Sequence, residues 1–533
     1  MQDPATGGDP EPHAADGRRP RVRFAPSPTG YFHVGSGRTA LFNWLFARRH
    51  GGVFVLRIED TDAERNREEW VEGIVSAMAW LGMAPDEGPY RQSERLERYR
   101  VALDALWGGG FLYACDCTRE DVLARTKDSA TPGYDGFCRD RGLARTGNAL
   151  RFRVPDDGET EVHDVVRGTV TFRHSAMEDF VVARSNGEPL FVLANSVDDR
   201  DMGITHVIRG EELLPSAPKG ILIWRALDSS GEGEAGWGEV TRHPVWAHLP
   251  TLVNEQRKKL SKRRDPVAVE SYRDQGYLPE ALRNYLALLG WSPPGGAEKV
   301  PVEAMVESFA LEDVNHAPAF FDVRKLTHMN GEYIRVLAIA EFVERSRPWV
   351  DPEKEREAGG WVPATVARAP WPAERFDEGI VRRLAPLAQE RVGVLSEVPA
   401  LVEFAFVGDV SFDDASWAAT FGRDATAVGV LEAATCAFEC CDWEAAAIRA
   451  AMEEVAAASG RKLAKAQAPV RVAVTGRTVG LPLFESLEVL GRTETLRRLR
   501  VALVRAAGGE GGAGAATGAH VPGEGVTKSA ETD

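Results

Sequence analysis

The residues best suited to chemistry in the first half of the chain stand in the stretch "APSPTGYFHVGSG". His33 and Gly35 follow two prolines here and precede an apolar helical pattern. Glycines let a ligand approach the backbone, a helix start offers free N–H groups to an anion, and a histidine adds a hydrogen-bond donor. The stretch predicts a phosphate-binding turn, although a histidine at such a turn is often purely structural.

A lysine-rich stretch much further along the chain, "RKKLSKRRD", is the second candidate, and it contains Lys259, Ser261 and Lys262. A basic run of this kind commonly forms nothing more than a solvated face. Its Lys-x-Ser-Lys pattern becomes informative together with the upstream His-x-Gly pattern, because the pair is much more specific than either half.

An α/β arrangement is expected to position the first candidate. Residues 21–25 and 53–58 have the apolar character of buried strands, and an amphipathic helix over about 37–50 separates them. Strand, helix and strand in this order favour a parallel βαβ unit, in which ligands bind beyond the carboxyl ends of the strands. Helical patterns follow at 68–81 and 93–107, and strand signals return in "ALRFRV", "TVTF", "DFVVAR" and "HVIRG".

The second half, from about residue 279, has amphipathic Ala/Leu/Glu/Arg-rich segments and is predicted to be all-helical. Within it, Cys436 and Cys440 lie four residues apart beside alanine and phenylalanine, which predicts packing in the core. Residues 1–20 and 508–533 are polar or Gly/Ala-rich and are predicted to be disordered tails.

Composition limits the possible partners. The 533 residues carry a formal net charge of −16, so an RNA partner would need a local basic patch rather than a generally basic protein. No window of about 18 apolar residues occurs, which predicts a cytoplasmic protein without a membrane partner.

Together, the two motifs resemble the paired signatures of class I aminoacyl-tRNA synthetases. The match narrows to bacterial-type glutamyl-tRNA synthetases, which the chain resembles over roughly residues 21–506 through "RFAPSPTGYFHVGSGRTALFNWLFARRHGG", "LRIEDTD", "VDDRDMGITHVIRGEE", "KKLSKR" and "GYLPEALRNYLALLGW". The resemblance implies an α/β Rossmann-like class I catalytic domain with an inserted acceptor-binding subdomain, followed by an all-α anticodon-binding half. The expected divisions are 21–110 and 201–278 for the catalytic domain, 111–200 for the insertion, 279–375 for a helical stem-contact region and 376–507 for the anticodon-binding domain.

The same resemblance implies a two-step reaction by a monomer. ATP with Mg²⁺ would activate L-glutamate to glutamyl-adenylate, and the 2′-hydroxyl of the terminal adenosine of tRNA(Glu) would then take the glutamate. The catalytic residues would be His33, Lys259, Ser261 and Lys262. ATP would contact His33, Gly35, Glu212 and Lys262.

Glutamate itself would meet charges of both signs. The resemblance assigns Arg23 to the γ-carboxylate, Glu59 to the ammonium group and Arg209 to the α-carboxylate. Ser27 and Asn195 complete the expected pocket. Phe191 stands where the family has a tyrosine and therefore lacks a hydroxyl group.

Cys115, Cys117 and Cys138 form a possible zinc knuckle in the insertion, because thiolates from a short turn and a return segment suit a tetrahedral ion. Some glutamyl-tRNA synthetases carry zinc at this position, and the resemblance implies Tyr134 as the fourth ligand, with Asp140 as a rival. The zinc would be structural. Three reduced cysteines without metal are the alternative.

Other functions remain open from the sequence. They are glutaminyl-tRNA synthesis, a non-discriminating enzyme that also charges tRNA(Gln), glutamate transfer to a modified tRNA base, a non-catalytic tRNA-binding paralogue, and a pantoate-type ligase. The helical second half disfavours the first, third and last of these. The intact His33, Lys259 and Lys262 disfavour the non-catalytic paralogue.

Overall fold

The computed structural model describes residues 19–62, 64–128, 133–230, 243–260, 267–352, 369–424 and 426–508. They divide into two compact units. The first unit runs to Val336 and includes Gly393–Leu395, and the second contains the remaining residues from Leu337 onward. No helix among these residues is long and apolar enough to cross a membrane.

The first unit contains a seven-stranded sheet of order β3-β2-β1-β9-β10-β6-β7, in which every neighbouring pair is parallel except β6 and β7. Strands β4, β5 and β8 form a separate antiparallel sheet, and β11 pairs with β12. The strands are β1 Arg21–Phe24, β2 Val53–Ile58, β3 Glu87–Arg91, β4 Leu112–Cys115, β5 Ala149–Phe152, β6 Glu159–Asp164, β7 Gly168–Arg173, β8 Val181–Ala183, β9 His206–Gly210, β10 Val245–Leu249, β11 Leu252–Val253 and β12 Ala319–Phe320.

Helices flank these strands in the first unit. They are α1 Val34–Arg49, α2 Glu68–Trp80, α3 Leu96–Gly108, α4 Arg119–Thr126, α5 Phe191–Asp201, α6 Ala217–Ser229, α7 Val269–Asp274, α8 Pro279–Leu288, α9 Val302–Ser308 and α10 Val323–Arg335. The predicted parallel βαβ unit is confirmed as β1-α1-β2. Its helix packs Leu41, Phe42 and Leu45 into the core of this unit, and β2 is buried along nearly its whole length, as expected of a strand covered on both faces.

The predicted insertion contributes to two sheets. Strands β4, β5 and β8 form its own small sheet, as the strand signals indicated. The hairpin of β6 and β7, however, joins the large sheet, because β6 pairs with β10 in parallel, with Asp164 opposite Trp246. This pairing brings Asp164 to the carboxyl end of the sheet, next to β10.

The second unit has no strand among its described residues, which agrees with the predicted helical half from Leu337 onward. Between residue 279 and Leu337 the all-helical prediction is wrong at one place, because β12 pairs there with β11. Its helices are α11 Ile339–Val350, α12 Glu378–Gln389, α13 Val398–Val402, α14 Asp414–Trp417, α15 Ala427–Cys440, α16 Ala445–Ala458, α17 Leu463–Thr475, α18 Leu483–Leu490 and α19 Arg492–Ala506. The prediction that Cys436 and Cys440 pack in the core is wrong: both are exposed on α15. The opposite face of that helix is buried instead, through residues such as Leu431 and Phe438.

Candidate functional site

The His-x-Gly turn lies between the end of β1 and the start of α1. His33 is the residue that caps α1: its Nδ1 accepts a hydrogen bond of 2.9 Å from the backbone N–H of Gly35. A neutral imidazole that accepts at Nδ1 carries its proton on Nε2. The cap therefore fixes the tautomer in which His33 presents an N–H donor from Nε2, as a phosphate-binding histidine requires.

The lysine-rich stretch is anchored beside this turn at both ends. After it, Val34 donates its backbone N–H to Val267 at 2.8 Å, and Val269 donates to Phe32 at 2.9 Å. In its first half, the N–H of Leu260 donates to the carbonyl of Leu252 at 3.1 Å. Of the predicted catalytic residues in this stretch, Ser261 and Lys262 lie outside the described residues.

Lys259 is described and lies at the rim of the site. Its side chain is 63% exposed, and its Nζ is 4.0 Å from a carboxylate oxygen of Glu212. The structure thus brings a predicted catalytic residue, Lys259, and a predicted ATP-binding residue, Glu212, together at the entrance, where neither is buried.

Two adjoining cavities occupy the carboxyl end of the large sheet. The first, of about 330 Å³, is lined by the predicted ATP-binding residues His33, Gly35 and Glu212 and by the predicted catalytic residue Lys259. The second, of about 220 Å³, is lined by the predicted amino-acid-site residues Arg23, Ser27, Glu59, Asn195 and Arg209, and by Phe191. They share Ser27, Gly35, Ser36 and Glu212 as common walls. Every described residue predicted for the two substrates therefore lines one of two connected spaces.

A buried ion network supports the second cavity. Arg23 donates from Nε and Nη2 to Asp199 at 3.0 and 3.1 Å, and Arg57 donates from Nη1 to the same carboxylate at 2.7 Å. Burial opposes ionisation of Asp199, but the two arginines outweigh it and hold the pKa of its carboxyl group below the ordinary value. Asp199 holds Nε–H and one N–H of Nη2, so Nη1 and the second N–H of Nη2 are the donors that Arg23 can offer to a ligand.

Glu59 is the carboxylate of the same cavity. Its Oε1 accepts from the side-chain amide of Asn195 at 2.6 Å and lies 3.3 Å from Nη2 of Arg57. Burial raises the pKa of Glu59 above its ordinary value, and Arg57 and Asn195 counteract this only in part. An ammonium ion entering the cavity would favour the ionised carboxylate, so Glu59 suits a cationic ligand group.

Arg209 is the second cation of this cavity. Its Nε donates to Nε2 of His248 at 3.0 Å, its Nη2 donates to the carbonyl of Leu213 at 3.0 Å, and its guanidinium carbon lies 5.0 Å from the ring centroid of Trp246. Burial lowers the pKa of Arg209 to about 9. The group is still a cation at neutral pH and suits a carboxylate.

The Asp199 network gives a stability prediction. In Asp199→Leu, two buried arginines lose their shared partner, and we expect the free energy of unfolding to fall by about 3 to 5 kcal/mol. Chemical denaturation monitored by circular dichroism measures this. Because the pKa of Asp199 is depressed, the wild-type contribution is present at neutral pH and is lost as the pH falls through that value. Glu97→Ala, which removes an exposed pair with Arg100, is the control and should hardly change stability; equal effects of the two substitutions would contradict the account.

The three cysteines of the insertion converge as predicted. The sulfur atoms of Cys115, Cys117 and Cys138 all lie within 4.8 Å of one another. Tyr134 packs against this cluster, and its hydroxyl accepts from the backbone N–H of Cys138 at 2.8 Å. Asp140 is exposed and forms an ion pair with Arg153 at 3.0 Å. Three thiols and a phenol in contact fit the donor set of a zinc knuckle, and Tyr134 fits it better than Asp140 does.

Each cysteine sulfur also accepts a hydrogen bond from a different arginine. The distances are 3.3 Å from Nε of Arg151 to Cys115, 3.4 Å from Nη2 of Arg125 to Cys117, and 3.3 Å from Nη1 of Arg141 to Cys138. Burial raises the pKa of the Cys115 thiol, but the hydrogen bond from Arg151 helps to bring it below the ordinary value, whereas burial raises the pKa of Cys117 to about 11.

Sequence reasoning did not identify Arg57, Asp164, Asp199 or His248 as parts of the site. A signal was present for two of them, because Arg57 interrupts the apolar strand "VFVLRI" and His248 interrupts "VWAHLP". A charged or titratable residue inside a buried strand needs a partner, which makes such positions worth examining.

Comparison with known families agrees with this geometry. Residues 20–328 match the family described as "tRNA synthetases class I (E and Q), catalytic domain", and residues 341–503 match "Anticodon binding domain". The predicted fold class, a class I catalytic domain followed by an all-helical anticodon-binding half, is confirmed.

Similar proteins extend the match over nearly the whole chain. The glutamate–tRNA ligase of Frankia casuarinae is 55% identical over 494 residues, which are 92% of this chain and 99% of that protein. The glutamate–tRNA ligase of Thermobifida fusca is 54% identical over 498 residues, or 92% of this chain and 98% of that protein. A crystal structure of a glutamate tRNA ligase from Elizabethkingia meningosepticum in complex with its amino acid matches with a TM-score of 0.74 and 30% identity, covering 91% of this chain and 99% of that one. The alternative functions are not favoured, and the chain belongs to the bacterial glutamyl-tRNA synthetases, the class I glutamate–tRNA ligases.

Proposed function

We propose that this chain activates L-glutamate with ATP and transfers it to tRNA(Glu). The observation that carries the proposal is the pair of connected cavities. One is lined by a histidine N–H donor and a lysine, which suit phosphates, and the other by two arginines and a carboxylate, which match the two carboxylates and the ammonium group of glutamate.

Activation joins the substrates where the cavities meet. An oxygen of the α-carboxylate attacks the α-phosphorus of ATP, the bond to the bridging oxygen breaks, and pyrophosphate leaves with its Mg²⁺. Ser27, Gly35 and Ser36 are among the residues that line both cavities, and the proposal puts the new bond beside them. Catalysis of this step is positioning and charge stabilisation, so no protein nucleophile is needed.

The assignments follow from the charges. Arg23, through Nη1, binds the γ-carboxylate, Arg209 binds the α-carboxylate, and Glu59 binds the ammonium group. His33 donates to a phosphate from Nε2, and Lys259 and Lys262 stabilise the charge on the α-phosphorus and the departing pyrophosphate. Ser261 lies between the two lysines in the sequence.

Transfer completes the reaction with tRNA(Glu) as the partner. The 2′-hydroxyl of the terminal adenosine attacks the carbonyl carbon of the adenylate, AMP leaves, and an ester forms. Charging with radiolabelled glutamate tests this directly. A tRNA(Glu) that ends in 3′-deoxyadenosine should accept glutamate and one that ends in 2′-deoxyadenosine should not; the reverse pattern, or charging with glutamine instead, would refute the proposal.

The cysteine knuckle is proposed to bind one structural Zn²⁺ through Cys115, Cys117, Cys138 and Tyr134. Bound zinc would cross-link the turn after β4 to the segment that returns toward β5. The convergence of three thiols, each beside an arginine donor, supports this assignment.

Metal analysis of the purified protein tests the knuckle. We expect about one zinc per wild-type chain and almost none in a Cys115→Ser/Cys138→Ser double variant, because thiolates are the preferred ligands. Cys436→Ser, which changes an exposed cysteine of α15, is the control and should retain the metal. Zinc near zero in the wild-type chain, or unchanged zinc in the double variant, would remove the hypothesis.

A further inference from the structure

Arg209, His248 and Asp164, on three neighbouring strands of the large sheet, form a row of hydrogen-bonded side chains. Arg209 and His248 are direct partners in the parallel pairing of β9 with β10, and Asp164 ends β6, the strand on the other side of β10. His248 and Asp164 have completely buried side chains. Neither residue has a part in the activation step. Both are polar, and burying a polar side chain costs free energy of folding unless it has a hydrogen-bond partner.

The hydrogen bonds fix the protonation of this row. Asp164 accepts from Nδ1 of His248 at 2.6 Å and from the backbone N–H groups of Val166, Arg167 and His248. A carboxylate with that many donors is ionised, and the pKa of Asp164 is lowered although burial opposes this. An ionised carboxylate only accepts, so the proton of His248 is on Nδ1 and its Nε2 is an acceptor.

Arg209 has only donors, and its Nε–H points at that Nε2. Together with the carbonyl of Leu213 on Nη2 and the ring of Trp246, this holds the guanidinium in one orientation before any ligand arrives. The remaining group, Nη1, is left for the cavity that Arg209 lines. A cation fixed in this way loses less conformational freedom when a carboxylate binds.

We infer that Asp164 and His248 form a positioning pair that aims Arg209 at a carboxylate of the bound amino acid, an inference that rests on the proposed function. Asp164 selects the tautomer of His248, and His248 in turn selects the orientation of Arg209. The pair acts on affinity for the amino acid and not on the nucleotide, because Arg209, the residue that it orients, lines the second cavity and not the first. Neither residue touches substrate.

Two substitutions of similar size, His248→Asn and His248→Gln, distinguish the positioning role of His248 from a simple packing role. In His248→Asn the side-chain amide reaches the position of Nδ1 and still meets Asp164, but no atom replaces Nε2. In His248→Gln the longer side chain places its carbonyl oxygen near the position of Nε2, where it accepts from Arg209. His206→Asn, at a buried histidine of β9 that does not line either cavity, is the control.

Steady-state ATP–pyrophosphate exchange with tRNA present is the measurement. We expect His248→Asn to raise the KM for glutamate about tenfold or more, the loss of a hydrogen bond to a charged group, with the KM for ATP nearly unchanged. His248→Gln and His206→Asn should stay within about threefold of wild type. Equal rises in this KM for His248→Asn and His248→Gln, or a His248→Asn value like that of wild type, would overturn the inference.

The tautomer can be measured without any substitution, should a variant fail to fold. ¹⁵N NMR of the histidine-labelled full-length protein should show His248 with a protonated Nδ1 and an unprotonated Nε2 at neutral pH. A protonated Nε2 would refute the pair. An absence of any glutamate-dependent exchange in wild-type protein would instead refute the proposed function, and the NMR result would still decide the geometry.

Discussion

Lys262→Ala is expected to lower the turnover of glutamate activation by about 100- to 1,000-fold, the usual effect of removing one group that stabilises transition-state charge. The lysine would meet the α-phosphate and pyrophosphate only as negative charge develops there. Because it acts on the phosphates, the affinity for tRNA(Glu) should hardly change. Exchange kinetics measure turnover, and filter binding with labelled tRNA measures affinity.

Lys258→Ala is the matched control for this prediction. Lys258 is a neighbouring exposed lysine that lines neither cavity. The control should retain most of the wild-type turnover. Strongly weakened tRNA binding by Lys262→Ala, with turnover at saturating tRNA unchanged, would contradict this. The lysine-rich stretch would then bind RNA and would not take part in catalysis.

Arg209→Leu is expected to lower kcat/KM for glutamate by about 100-fold, because the ligand loses a charge-assisted hydrogen bond to a buried guanidinium. The substitution also removes the guanidinium from the face of Trp246 and leaves His248 without its donor. The KM for ATP should change little, since Arg209 lines the second cavity and not the first, which is the one proposed for ATP.

Arg48→Leu provides the comparison for the loss of an arginine. Arg48 lies at the surface of the first unit, where its Nη2 is 2.9 Å from Oδ1 of Asp86. It lines neither cavity. Exchange kinetics should therefore be those of wild type. A similar loss in the two variants, or a drop in ATP affinity alone for Arg209→Leu, would show that Arg209 does not bind the amino acid.

Local patterns predicted much of the fold because they depend on few residues. The βαβ unit followed from two apolar strands and one amphipathic helix, and the turn before α1 followed from prolines, glycines and a helix start. The convergence of Cys115, Cys117 and Cys138 could be expected from their spacing and from the resemblance.

Long-range pairing was beyond that reasoning. The β6–β7 hairpin alternates buried and exposed residues along β6, but this pattern does not say which sheet the hairpin joins. Its pairing with β10 places Asp164 beside His248, so this row of polar groups is a product of topology. The prediction that Cys436 and Cys440 are buried was wrong for a related reason. The helix around them has small apolar residues on more than one face, and only tertiary packing decides which face is buried.

The central claim is that the two cavities bind ATP and glutamate for adenylate formation, and ATP–pyrophosphate exchange tests it most directly. Purified full-length protein should incorporate labelled pyrophosphate into ATP when glutamate and tRNA(Glu) are both present, and far less when either is omitted. Glutamine should not replace glutamate. Exchange with glutamine alone, or no exchange with glutamate whether or not tRNA is present, would contradict the account.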